Sequence, residues 1–329
     1  MLDPTRQLID QVLLEVAIAS FAAGTLVLLG YLLTRTVAFK RIGSVLALLG
    51  GVTAFAELGT RWWMTGIWPL TNLYGSLSLF AAMGVLIFCA FAFKYDLWFA
   101  GSGVLAIAAI SLAYGTDWNE GYMPAVPALQ SYWIKIHVPL VISAYATFMV
   151  AFAIAILYIL KDAFERRYGS RTVRARAAGL GVDISLAQPA ASAFVTTEFG
   201  IKRVEAPNLE AAAARGDSLA LWLMGLPSLA KLDILTYRIV AVGLPLLSIG
   251  IITGAMWAKE AWGAYWQWDP KETAALASWI VYALYMHLHT RNGWRGIRCA
   301  WINVIGFASI VFCYLGVNIW ISGLHSYKV

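Results

Sequence analysis

Apolar residues in this chain fall in eight runs separated by shorter polar stretches: Leu13–Leu33, Ile42–Gly59, Leu73–Phe93, Leu97–Ala113, Trp133–Leu160, Ile239–Trp257, Thr273–Leu288 and Cys299–Ile321. A helix needs about 20 apolar residues to cross a bilayer. The runs are on that scale, although the second and fourth are short and a histidine interrupts the seventh. Within lipid the backbone must satisfy its own hydrogen bonds, which leaves helices or closed barrels. A barrel would show alternating segments of about ten residues, and these runs do not alternate. The pattern therefore predicts an all-α, polytopic membrane helix bundle of about eight transmembrane helices.

Composition agrees. The chain is 60% hydrophobic and 13% charged, with a mean hydropathy of +0.71, whereas soluble domains carry about 25% charged residues. A net charge of +6 raises the question of nucleic acid. The basic residues, however, cluster between apolar runs, as membrane topology requires. Cys89, Cys299 and Cys313 each sit in or beside an apolar run and no CxxC occurs, so paired-thiol redox chemistry and thiolate zinc sites are not expected. Asp3, Asp10 and Glu15 precede or enter the first long run, which fits a retained first span better than a cleaved signal peptide.

Lysine and arginine set the expected orientation. One side holds Arg35, Lys40, Arg41, Lys94, Lys161, Arg166, Arg167, Lys231, Arg238, Arg291, Arg295 and Arg298; the other holds Arg6, Arg61, Lys135, Lys259, Lys271 and Lys328. The richer side should be cytoplasmic, with both termini external. Three regions result: 1–160, helices 1–5 with external aromatic loops; 161–235, a cytoplasmic loop; and 236–329, helices 6–8 with an external tryptophan-rich segment. Within the loop, Arg166–Arg176 is a basic run, and Leu219–Ala230 is a candidate interfacial helix.

The external side collects aromatics: Trp62, Trp63 and Trp68 after span two, Tyr122, Tyr132 and Trp133 before span five, and Trp257, Trp262, Tyr265, Trp266 and Trp268 between spans six and seven. Such residues anchor helices at membrane interfaces. The stretch WGAYWQWDPKE, residues 262–272, is denser than an anchor requires, and Trp262, Tyr265 and Trp266 recur at helical spacing. Asp269, Pro270 and Glu272 read as N-cap, first helical position and reciprocal cap. That is a sharp helix start, and also what the rigid edge of a ligand site needs.

Only four histidines occur. His137 opens span five and His325 follows span eight, so both lie on the tryptophan-rich side. His287 falls 15 residues after Glu272, about 22 Å along a helix, toward the cytoplasmic side, with His289 beside it. A single histidine is commonly a satisfied polar residue. Two flanking an aromatic platform suit an iron with two axial imidazoles, as haem provides. Arg61, Lys135, Lys259 and Lys271 are candidates to meet the haem propionates.

These residues carry a family resemblance. WGAYWQWDPKET is similar to the WWD motif of haem-handling membrane proteins. Together with LDILTYR, LSIGIITGAMWA, WIVYALYMHLHTR and GVNIWISGLHSY, it resembles the CcsA/ResC subunit of system II cytochrome c biogenesis, named CcsB in some lineages. The match is strongest over Leu232–Tyr327 and extends more loosely to YWIKIHVPLVISAYA and WPLTNLYGSL. The resemblance implies that His137 and His325 hold haem b (iron protoporphyrin IX) from two sides. Trp262, Tyr265, Trp266, Trp268 and Asp269 would form its platform, and His287 would be a transmembrane station on its route. It implies a CcsB/ResB-like membrane partner and an apocytochrome c whose CxxCH cysteines add to reduced haem. Thioredoxin-like thiol reductants are further implied partners, and a plasma or thylakoid membrane is the implied location. The chain would then be a subunit of a cytochrome c haem lyase, a holocytochrome c synthase acting with its partner. Gly75 departs from the family's usual acidic residue in YESL. Two other readings stay open: a secondary transporter, and a scaffold of an electron-transfer complex.

Overall fold

The computed structural model describes residues 4–119, 121, 127–179, 192–197, 200–205, 222, 225–291 and 293–321. His325, Tyr122, Lys328 and residues 219–221 and 223–224 of the candidate interfacial helix lie outside the described residues. Eight long helices make up the body: α1 Pro4–Thr34, α2 Val37–Thr65, α3 Leu73–Tyr95, α4 Gly101–Thr116 led by a 3-10 turn at Trp98–Ala100, α5 Ile134–Gly179, α6 Leu229–Trp262, α7 Pro270–His289 and α8 Ile297–Val311. α8 continues through a π-helical turn at Phe312–Gly316 into Val317–Trp320. Between α5 and α6 stands an antiparallel hairpin of β1 Ser192–Thr197 and β2 Gly200–Glu205.

Seven of these helices are long and apolar enough to cross a membrane. The exception is α7, expected from the sequence as the seventh span. It is 20 residues long, about 30 Å at 1.5 Å per residue, but polar side chains dilute its apolarity. Short connections at 263–269 and 290–296 join it to α6 and α8, both of which it packs against. It packs within the bundle as its neighbours do, although it is shorter than α6 and than α8 with its continuation to Trp320.

The expected span ends were too short wherever polar residues lie on a helix. α2 extends past Gly59 to Thr65, so Trp62 and Trp63 stand on its last turns, not in the loop after it. Gly66, at φ 66°, ends it. α5 carries the basic run Arg166–Arg176 as helix. α6 begins at Leu229, capped by the Ser228 hydroxyl, ten residues before Ile239. Both bounds of the expected 161–235 loop therefore fall inside helices, and residues 229–230 of the candidate interfacial helix are the first turn of α6.

The helices form two groups of four, α1–α4 and α5–α8, joined mainly where α3 meets α5. One layer shows how the second group closes. Phe148 of α5 stacks on Tyr282 of α7, with ring centroids 3.7 Å apart. Gly243 of α6 lies against the Phe148 ring, and Gly306 of α8 against the Tyr282 ring. A Cβ at Gly243 would fall 2.7 Å from the phenyl ring, and one at Gly306 2.9 Å from the phenol ring. Glycine thus makes room for each ring of an aromatic pair, the small-residue packing that membrane helices favour.

The first group is tied by buried charge. The Arg61 guanidinium meets Asp10 at 3.1 Å and Glu57 at 3.2 Å, and donates to Asn119 at 3.0 Å. It lies over the Tyr74 ring, whose hydroxyl donates to Glu57 at 2.8 Å. This cluster joins α1, α2, α3 and the segment after α4. At the opposite end, the Lys161 ammonium donates to the carbonyls of Leu226 and Pro227, and Trp222 donates to Leu32 of α1. These contacts hold the start of α6 against the bundle.

Removing one partner of a buried ion pair strands the other, at about 3–5 kcal/mol. Arg61→Ala is expected to lower the thermal unfolding midpoint of the detergent-solubilised protein markedly, and Arg298→Ala, at an exposed position, to leave it unchanged. Equal midpoints for the two variants would remove the structural weight assigned to the Arg61 cluster.

Candidate functional site

His137 lies in the first turn of α5, where its N–H donates to the Trp133 carbonyl at 2.8 Å. Its imidazole enters a groove on α6. Nδ1 lies 2.8 Å from the Gly250 carbonyl oxygen, and the ring runs nearly parallel to Trp257, with centroids 6.1 Å apart and planes 12° apart. Trp257 is buried, not displayed at the surface as its place in the sequence suggested. Its indole N–H donates to Ala128 at 2.8 Å, and its ring meets Trp262 edge-on at 4.6 Å. Leu129, Ile134 and Trp257 form a small apolar core of their own, with Trp133 and Trp262 packed against it. The Ser131 hydroxyl donates to Glu260 at 2.8 Å and accepts from the Trp133 N–H. Thus the segment leading into α5 is stitched to the last turns of α6.

The tryptophan-rich stretch is not helical. Helical spacing of Trp262, Tyr265 and Trp266 was expected, but α6 stops at Trp262 because Gly263 takes the left-handed conformation, φ 85°, and closes the C-cap onto the Lys259 carbonyl. Trp268 also has a positive φ, 56°, a conformation that non-glycine residues adopt at a cost. Trp266 and Trp268 stand perpendicular, centroids 5.7 Å apart. Tyr265 and Trp268 are 55% and 69% exposed. The result is a set of angled faces, two of them open, in place of a flat ledge.

The Asp269 reading holds. Its side chain accepts from the Lys271 N–H at 3.0 Å, and Glu272 reaches back to the N–H groups of Asp269 and Gln267, completing a capping box with Pro270 inside it. Asp269 is itself buried. The segment is thus pinned at both ends, by Gly263 and by Asp269.

The four cations separate. Lys135 and Lys259 are exposed, and Lys259 donates to the Gly263 carbonyl and lies 5.7 Å over Tyr265. Arg61 is buried in its carboxylate cluster, not presented by a loop. Lys271 turns into the bundle and donates to Asn318 at 2.8 Å, beside the π-turn where Cys313 donates to the Lys271 carbonyl. Cys89, Cys299 and Cys313 are all buried free thiols.

At the opposite end, His287 and His289 part company. His287 is exposed on α7. His289 is buried, 2.9 Å from Asp233 and stacked on Tyr237 at 4.4 Å. Asp233 also accepts from the Gly296 N–H, and Arg295 donates to the His289 carbonyl. This clasp joins the ends of α6, α7 and α8. Gly75 has a packing role: a side chain there would collide with the Pro69 carbonyl, while its N–H is capped by Asn72. Among the described residues no three His, Cys, Asp or Glu side chains converge to hold a bare metal ion. Among the described residues the site offers one imidazole, that of His137, rather than a ligand cage.

Comparison with known proteins gives this geometry a family. The profile of the cytochrome c assembly protein family matches residues 70–325. Proteins named cytochrome c biogenesis protein CcsA are similar along most of their length: 37% identical over 88% of both chains in Gloeothece citriformis, and 35% identical over 88% of both in Guillardia theta. The chain belongs to the cytochrome c assembly protein family. It is a multi-pass membrane protein of cytochrome c biogenesis, related to CcsA. Among solved structures, the cytochrome c haem lyase CcmF shares the fold, with a TM-score of 0.60 at 16% identity over 95% of this chain. This chain spans about half of CcmF, 47% of its length.

Loss of an N-cap carboxylate costs about 0.5–2 kcal/mol. Asp269→Ala is expected to loosen the family segment without unfolding the bundle. Limited proteolysis should then cut selectively within 263–270. A cleavage pattern identical to the wild type would remove Asp269 as the pin.

Proposed function

We propose that this chain presents reduced haem b at the external face of the membrane for covalent attachment to the CxxCH cysteines of apocytochrome c, acting with a CcsB/ResB-like subunit as a holocytochrome c synthase. The observation that carries this is the setting of His137. Its Nδ1 is engaged by a backbone carbonyl, which leaves Nε2 to coordinate, the arrangement that ligating histidines commonly have. The residues present fit the group. A half-buried imidazole beside Trp257 and Trp262 could ligate the iron, and Tyr265 and Trp268 would offer open aromatic faces to an apolar macrocycle. Lys135 and Lys259 are the exposed cations suited to the propionates. Arg61 and Lys271 turn into the bundle among protein partners, so the propionate role narrows to the two exposed lysines. His325, the expected second ligand, follows Trp320, where the helical continuation of α8 ends, by five residues in the sequence. That end lies beside Lys271, in the first turn of α7, where the tryptophan-rich stretch closes.

When bound, haem supplies the vinyl groups to which the thiols add; this chain supplies position and shielding. His137 would hold the iron, the 262–269 segment would orient the ring, and buried Trp257 with partly buried Trp133 packed beside it would keep water from the site. His287, exposed on the weakly apolar α7, suits an earlier station shared with the partner subunit, on the haem route from the cytoplasmic side. Two further readings, a transporter without synthase chemistry and a scaffold, have no comparable feature in their favour.

The test is haem content and spectrum of the purified complex. His137→Ala should lose the low-spin bis-histidine absorption, and added imidazole should restore cytochrome c maturation. Unaltered haem content and spectrum in His137→Ala would overturn the assignment. Co-purification of haem with the wild type, together with loss of c-type but not b-type cytochromes on deletion, separates synthesis from transport or scaffolding.

A further inference from the structure

Gly250 and Gly254 lie one turn apart on the face of α6 that receives α5. A Cβ at Gly250 would fall 2.6 Å from Val141 Cγ2, and one at Gly254 would fall 2.6 Å from Cε1 and 2.8 Å from Nδ1 of His137. Any side chain at either position would push α5 or the imidazole out of the groove.

Inside the groove, one contact decides the proton position. A carbonyl oxygen has no hydrogen to give, so across the 2.8 Å between Nδ1 and Gly250 O the ring is the donor. In the neutral imidazole the other nitrogen, Nε2, is then a bare lone pair. The Gly250 oxygen also accepts from the Thr253 hydroxyl at 3.0 Å, so it is held from two directions. Trp257 closes the remaining freedom: it lies parallel to the imidazole and is fixed through its own bond to Ala128.

We infer that the Gly250–Gly254 groove is the positioning element for ligation at His137, with the Gly250 carbonyl selecting Nε2 as the coordinating nitrogen and Gly254 setting how deeply the ring sits. What the nitrogen coordinates rests on the haem reading above; the tautomer and the depth do not. Both glycines act through His137.

Gly243 provides a matched control. A methyl there would press on Phe148 at 2.7 Å, straining the same α5–α6 interface further along without touching His137. Haem titration of the full chain should give Gly254→Ala about 10–100-fold weaker affinity, the range for outer-shell changes at metal ligands. Its low-spin spectrum should weaken and return with added imidazole, while Gly243→Ala binds as the wild type does. Equal losses in both variants would make the groove ordinary helix packing, and wild-type affinity in Gly254→Ala would overturn the inference.

A second measurement needs no haem and no variant at the groove. In the haem-free full chain labelled with 15N-histidine, the His137 resonances are identified by their absence in His137→Ala. They should show a protonated Nδ1 and an unprotonated Nε2. The opposite tautomer would end the inference. The stated tautomer in a protein that takes up no haem would instead leave the positioning intact and remove the haem function.

Discussion

The close approach of α5 to α6 is the constraint on which the site depends. Two long apolar helices gain little from the hydrophobic effect inside lipid, where the tails are as apolar as they are. They gain from contact, and contact requires that one of them lack side chains where they meet. Gly243, Gly250 and Gly254 provide that face of α6; Phe148, Val141 and His137 of α5 fill it. The same interface therefore packs the bundle at one level and seats the imidazole at another. His137 occupies a position that elsewhere along α5 is taken by an aromatic or branched apolar side chain.

From that contact the rest of the site follows outward. Trp257 extends the imidazole stack to Trp262 at the last turn of α6. Gly263 then breaks the helix, and Asp269 starts the next one. The intervening residues are held between two caps, so their aromatic rings are displayed at fixed angles without a helix beneath them. Lys271 and Asn318 tie the start of α7 to the helical continuation of α8 and so fix the last described turn before the segment that carries His325. At the far end, the Asp233–His289 clasp performs the corresponding task for the other ends of α6, α7 and α8.

Much of this was legible in the sequence, and the reason differs by feature. Helices and their number are visible because lipid forces uninterrupted apolar runs. Their ends are not, because helices continue past the hydrocarbon on polar residues, as at Trp62 and at Arg166–Arg176. The capping box at Asp269 is local and was readable. The helical spacing of Trp262, Tyr265 and Trp266 has no helical counterpart in the structure, because spacing cannot report the left-handed Gly263. The Arg61 cluster was missed although Glu57 falls inside an expected span, where an ionisable side chain calls for a partner. The GxxxG spacing at 250–254 stands in plain view within LSIGIITGAMWA, yet its meaning depends on which helix lies against it. The Asp233–His289 pair joins residues far apart in the chain and has no local signature.

The most direct measurement is pulsed electron–nuclear resonance on the oxidised, haem-loaded chain carrying 15N-histidine. The account requires two histidine nitrogens strongly coupled to the iron, one of them lost when His137 is replaced. Coupling to a single histidine, or couplings indifferent to the replacement of His137, would contradict it.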